Sequence, residues 1–222
     1  MDRLILPVGM NLKAKNNAIA AENRSRFEQQ RVYVLNVMSS PGAGKTALLE
    51  RTLFELLPEI RGGVVVGDLA TENDAIRLRR SGAPAVQITT GTLCHLEAAM
   101  VARACEDSSL QGLELLFVEN VGNLVCPATY DLGESLRMVV FSVTEGEDKP
   151  LKYPTAFRNA DVVILSKMDL AGPAGFDRPL ALENIRKMAP QAKIFELSSR
   201  TGEGLESWYD YLRQQVRTLS AS

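Results

Sequence analysis

Residues 39–46 read SSPGAGKT, and the helix-patterned run ALLERTLFELL follows directly. Gly42 and Gly44 allow successive backbone N–H groups to turn toward one point, where a helix N-terminus adds partial positive charge. Those are the two ingredients of a phosphate cradle. In a G-x-x-x-x-G-K-[ST] loop the lysine bridges the β- and γ-phosphates and the hydroxyl ligates Mg²⁺, which assigns those roles to Lys45 and Thr46. The backbone of Ser40, Pro41, Gly42, Ala43, Gly44 and Ala47 would wrap the phosphates. Ser39 stands where the pattern has its first glycine, which serine tolerates only if that position does not need positive φ. A ligand-free turn is the plain alternative, and Gly-Lys-Thr at a strand-to-helix junction weighs against it.

Further along, SKMD (166–169) ends an apolar run. GTP-binding proteins carry N-K-x-D at such a place, the Asp accepting the N1 and N2 hydrogens of guanine. Asp169 takes that role and Lys167 lies along the ring, with Ser166 in place of the usual Asn. In ELSSRTGEG (196–204), Ser198 and Ser199 would frame the base from its other side. Two acids stand at strand ends between these loops: Asp68 in VVVGD, and Glu119 in LLFVENVGN with Gly122 three residues later. Both acids face Mg²⁺ in this reading, and the Gly122 N–H reads the γ-phosphate. Asp74, in TENDAIR, belongs to a stretch that could close over the nucleotide; a solvated helix-surface acid is its bland reading.

GTLCHLEAAM (91–100) contains the single histidine, His95, beside Cys94, one of three cysteines. Small buried thiols and packing histidines are common. A helix expected from residue 93 would splay adjacent side chains by about 100°, so this pair needs a ligand from elsewhere. Cys126, in ENVGNLVCPA shortly after Glu119, is the available supplier. Thiolates with an imidazole suit Zn²⁺ or Ni²⁺ rather than Mg²⁺, and three protein ligands leave a position open for an ion that is handed on. A symmetric dimer could fill that position. Cys105 reads as packing.

These residues require a scaffold that brings strand ends together. RVYVLNVM, GGVVVGD, PAVQIT, LELLFVEN, RMVVFSVT, DVVILSK and AKIFELSS read as strands hydrophobic on both faces, alternating with helices near 45–57, 72–81, 93–106, 178–188 and 204–218. The expected fold is α/β: a three-layer P-loop nucleotide-binding domain over residues 31–222, with about seven mostly parallel strands flanked by helices. Residues 1–30 form an N-terminal extension whose polar stretch from residue 10 predicts an exposed or loosely packed helix. Net charge of −2 offers no basic field for nucleic acid or an anionic membrane. The apolar runs are too short to span a bilayer, and the three dispersed cysteines fit a reducing, cytoplasmic setting.

GDLATENDAIRLRRSGAPAVQITTGTLCHLEAAM, ENVGNLVCPATYDLGE and SVTEGEDKPLKYP resemble the nickel-insertion GTPases of hydrogenase maturation, the HypB family. The resemblance implies a dimeric GTPase that loads nickel into the hydrogenase large subunit together with a nickel-binding accessory protein; intrinsic hydrolysis is expected to be slow, because the phosphate-sensing loop offers no arginine finger or glutamine. It implies phosphate and Mg²⁺ roles for Lys45, Thr46, Asp68 and Glu119, guanine recognition by Lys167 and Asp169, and a nickel or zinc site at Cys94, His95 and Cys126. Lys152 falls on a basic position that reaches the nucleotide across the dimer. The alternatives are a urease-type sister chaperone, a P-loop small-molecule kinase using ATP, and a metal-responsive scaffold without turnover.

Overall fold

In the computed structural model, which describes residues 8–70 and 72–221, the seven apolar runs become seven strands of one sheet, all parallel. They are β1 (Tyr33–Ser39), β2 (Gly62–Asp68), β3 (Ala85–Thr89), β4 (Leu115–Glu119), β5 (Leu136–Ser142), β6 (Val162–Ser166) and β7 (Lys193–Glu196). Their order is β3-β2-β4-β1-β5-β6-β7, so β1 lies at the centre and the chain leaves it in both directions. Ligands of such sheets bind outside the carboxyl ends of the strands, where the order reverses.

The helices are α1 (Val8–Gln30), α2 (Lys45–Leu56), α3 (Asn73–Arg79), α4 (Ala98–Ala104), α5 (Lys149–Lys152), α6 (Pro154–Arg158), α7 (Arg178–Met188) and α8 (Leu205–Ala221). On one face Leu35, Val37, Phe117 and Ile164 pack against α2, α3 and α8. The opposite face is divided: Val34, Val65 and Val118 meet α1 and α4, whereas Met38, Phe141 and Leu165 meet α6 and α7. Strands buried on both sides explain why their sequences run apolar without alternation.

Three expectations change. Residues 1–7 of the expected extension lie outside the described residues, and α1 is closely seated: Asn16, Ala20, Asn23 and Phe27 are buried along one side. Asn16 Nδ2 donates to Asp131 O at 2.8 Å, and Asn23 Nδ2 donates to Ala98 O at 2.9 Å and to Leu132 O at 3.0 Å. The helix expected from residue 93 begins only at Ala98, leaving Cys94 and His95 in a bend. Finally, α5 and α6 occupy a stretch for which no helix is expected; each carries proline in its first turn, where the missing N–H costs nothing. Among the described residues, no helix is long and apolar enough to cross a membrane.

Candidate functional site

The loop after β1 curls through Gly42 at φ +75° and Gly44 at φ +98°, a region that only glycine enters without strain. Ser39 ends β1 without positive φ, and its Oγ accepts from Lys45 Nζ at 2.9 Å. Serine is therefore accommodated here, and its hydroxyl steadies the lysine. Ser40 O accepts from Ala43 N at 3.4 Å, closing the turn. Lys45 is buried at the first position of α2, and burial lowers its pKa against the pull of Glu119.

A cleft of about 510 Å³ opens above this loop, lined by Thr46, Ala47, Asp68, Asp74 and Glu119 among others. Thr46 Oγ1 donates to Glu119 Oε1 at 2.7 Å, so the loop hydroxyl and the tip of β4 are already joined. Glu119 is 2% exposed, and its Oε2 has no hydrogen-bond partner. Burial pushes its carboxyl up to about 7, although Lys45 and Thr46 favour the anion. Asp68 Oδ1 accepts from Leu69 N at 2.6 Å, and Asp74 lies in the first turn of α3. Gly122 is pressed against the loop: a Cβ there would come within 3.1 Å of the Pro41 ring. Arg77 also lines the cleft, its Nε donating to Glu50 at 2.7 Å. Its place on α3 carries no motif, so the sequence does not single it out.

The segment after β6 crosses the phosphate loop. Ser166 Oγ donates to Ala43 O at 2.7 Å and Lys167 Nζ donates to Gly42 O at 2.7 Å. Lys167 adopts φ +59°, a left-handed conformation that costs a non-glycine residue about 1–2 kcal/mol. Asp169 Oδ1 accepts from Ser198 Oγ at 2.6 Å and its Oδ2 from Arg200 Nε at 3.0 Å; the Ser198 hydrogen bond leads in holding its pKa below the usual carboxylate range. Ser199 turns its carbonyl to Arg51 Nη1 at 2.8 Å. Lys152 stands apart, exposed on α5 and paired with Asp148 at 2.7 Å, outside the residues lining the cleft of its own chain.

Cys94, His95 and Cys126 converge within one chain, with ligand atoms all within 4.8 Å of one another. Cys94 Sγ lies 2.8 Å from Cys126 Sγ and 3.9 Å from His95 Nδ1. The bend at 91–97 makes this possible, because neighbouring side chains there are not splayed as they would be on a helix. Tyr130 stacks on the imidazole at 3.9 Å between centroids, and Glu97 lies 3.7 Å from Nε2. Burial lowers the His95 pKa while Glu97 opposes it, favouring the neutral ring that binds metals. The hydrogen bond from Cys94 raises the Cys126 thiol. Cys105 is buried among aliphatic side chains, which push its thiol up to about 11. Tyr130 is not legible in the sequence, since it arrives from a separate loop, and Glu97, two residues after His95, carries no motif.

A parallel sheet with a glycine-lysine-threonine loop after its central strand, and acids on the neighbouring strand tips, defines a P-loop nucleotide-binding protein. The family described as CobW/HypB/UreG, nucleotide-binding domain, matches residues 33–196. The hydrogenase maturation factor HypB of Rhizobium leguminosarum bv. viciae is 50% identical over 208 residues, covering 94% of this chain and 70% of that protein. Two solved structures superpose closely. HypB from Archaeoglobus fulgidus gives a TM-score of 0.85 at 39% identity, covering 91% of this chain and 99% of that one. HypB from Helicobacter pylori in complex with nickel gives 0.86 at 45% identity, covering 92% and 96%. The chain belongs to the CobW/HypB/UreG family and, within it, to the HypB hydrogenase maturation factors.

Proposed function

We propose that this chain hydrolyses GTP to GDP and phosphate and uses its nucleotide state to hold and release nickel, its cargo, for the large subunit of a nickel-iron hydrogenase. The observation that carries the reading is that a phosphate cradle and a Cys94, His95, Cys126 cluster share the carboxyl end of one sheet, joined by the 119–126 segment. The nickel complex of the Helicobacter pylori relative supports the choice of ion. Zn²⁺ suits the same donors and is the competing ion.

Lys45 and the amides of 42–46 would grip the β- and γ-phosphates, and Asp169 would read guanine once Arg200 yields its oxygen. Mg²⁺ fits the donors Thr46, Asp68 and Glu119, because Glu119 Oε2 is a buried carboxylate oxygen lacking any partner. Bound there, the ion would neutralise charge on the transferring phosphoryl group. Asp74 would approach from α3. Turnover would be slow, since residues 119–123 contain neither arginine nor glutamine and Arg77 is engaged by Glu50. Leu93 and Val125, 38% and 60% exposed beside the two cysteines, support an interface at the metal site, with a second copy or with a nickel-binding accessory protein. Lys152 would serve a nucleotide only across such a dimer.

The test is phosphate release from GTP and from ATP with Mg²⁺, by wild type and Lys45→Ala, alongside Ni²⁺ titration. Lys45-dependent GTP turnover with a nickel stoichiometry lost in Cys94→Ala is the expected result. Preference for ATP, or nickel binding indifferent to Cys94, would overturn it.

A further inference from the structure

Two asparagines fasten the tip of β4 to the loop that carries Cys94 and His95. Asn120 Oδ1 accepts from Leu96 N at 3.1 Å, and Asn123 Nδ2 donates to Cys94 O at 3.4 Å. These bonds straddle His95, so residues 120–123 grip the metal-bearing backbone on both sides of the imidazole. The Leu96 side chain fills the space over Gly67, where a Cβ would come within 2.7 Å of it, and Gly67 directly precedes Asp68. Leu96 is thus seated between the two strand tips whose acids line the nucleotide cleft.

Behind Asn120 runs a buried polar chain. Its Nδ2 donates to Asn36 Oδ1 at 3.1 Å, and Asn36 Nδ2 donates to Glu134 Oε1 at 3.3 Å. Glu134 Oε2 accepts from Leu132 N at 2.7 Å; Leu132 O accepts from Asn23 Nδ2, which also donates to Ala98 O. Ala98 lies two residues beyond Leu96, so the chain of bonds closes on the metal-bearing loop. Asn36, within β1, is 0% exposed and Asn120, just past the end of β4, is 1% exposed, both among largely apolar neighbours. Buried amides among such neighbours are tolerated only when satisfied, and a satisfied network holds one geometry. If the β4 tip moves, it must carry Leu96 with it or leave buried groups without partners.

We propose that Asn120 and Asn123 are the positioning residues through which occupancy of the γ-phosphate position resets the metal cluster. Movement of the Glu119 to Gly122 segment pulls the Cys94 to Leu96 backbone through these two bonds, shifting Cys94 and His95 against Cys126, which follows the same segment covalently. This rests on the reading above that nucleotide and metal sites act on each other.

The test is Ni²⁺ affinity by chelator competition in the GDP·Mg²⁺ and GTPγS·Mg²⁺ forms of wild type, Asn123→Ala and Asn120→Ala, with thermal melts as the check on folding. Asn123 is only partly buried, so its variant keeps the test alive if Asn120→Ala fails to fold. Wild type should show a ratio of affinities of about 5- to 150-fold between the two forms. In the variants the ratio should fall to within about twofold of one, and by reciprocity added Ni²⁺ should no longer alter GTPγS affinity. A merely structural role would weaken nickel equally in both forms and keep the ratio, which overturns the proposal. A wild-type ratio of one would instead sink the reading of linked sites and this inference with it, whereas absence of nickel binding by wild type would sink the cargo reading.

Discussion

Cys94 and Cys126 stand with their Sγ atoms 2.8 Å apart although 32 residues separate them in the chain. One arrives on the bend before α4 and the other on the segment leaving β4, so their meeting is a property of two loops at the end of the sheet. Thiols this close are hydrogen-bonded to one another, and metal ligands bind as thiolates, so taking up a cation must release protons from this pair.

Replacing either thiol should therefore abolish tight nickel binding while sparing nucleotide binding. We expect Cys94→Ala and Cys126→Ala each to lower Ni²⁺ affinity by more than about 100-fold, since losing even an outer partner of a metal ligand costs about 10- to 100-fold. Thiolate-to-metal charge-transfer absorption, titrated against a chelator, measures this. Retention of the absorption band in both variants would refute the assigned ligands.

Glu119 predicts a pH dependence of stability in the nucleotide-free protein. Burial raises its carboxyl from 4.5 to about 7, so the folded state holds a proton that the unfolded chain releases. The associated stability is full below 4.5 and drains away as pH climbs through 7. Glu119→Gln keeps the shape without the titration, so its stability relative to wild type should rise by about 3 kcal/mol between pH 4 and pH 8. Urea unfolding at both pH values reads the difference, and parallel curves would contradict it.

Asp169 and Arg200 predict opposite effects on nucleotide choice. Asp169→Ala should reduce the preference for GTP over ATP by a factor on the order of 10³ or more, because a site built to hydrogen-bond particular N–H groups of a base strongly rejects ligands that lack them. Arg200→Ala removes only an exposed ion pair, worth about 0.2–1 kcal/mol, and should tighten GTP by no more than about fivefold. Competition with a fluorescent guanine nucleotide distinguishes the two. A loss of GTP affinity in Arg200→Ala would mean that Arg200 contacts the base itself.

Asn23→Leu should destabilise the fold by about 1–3 kcal/mol, the cost of leaving Ala98 O and Leu132 O without their donor. Denaturant midpoints provide the measure. No change would mean that water replaces the amide at both carbonyls.

Strands were the most legible elements, because β1, β4, β5 and β6 are buried on both faces and declare it in runs that are mostly apolar and lack a polar alternation. The cradle was legible for a different reason: Gly42, Gly44, Lys45 and Thr46 act through neighbours in sequence. The late start of α4 was hidden. Its first free N–H groups are taken by remote side chains, Leu96 N by Asn120 and Ala98 N by Asn16 at 2.8 Å, with no side-chain cap at Glu97. The seating of α1 was hidden too, because its inner stripe at 16, 20, 23 and 27 is half asparagine and shows no apolar period. In KPLKYPTAFR, Pro150 and Pro154 look like breakers but serve as first-turn residues of α5 and α6.

The amide side chains that anchor α1 grasp main-chain oxygens downstream of both cysteine loops, at Ala98 on one side and at Asp131 and Leu132 on the other. A tag, fusion or upstream domain that tugs on this helix therefore has leverage on the ligand geometry. Purification handles are better carried at the opposite end whenever nickel affinity is the quantity of interest.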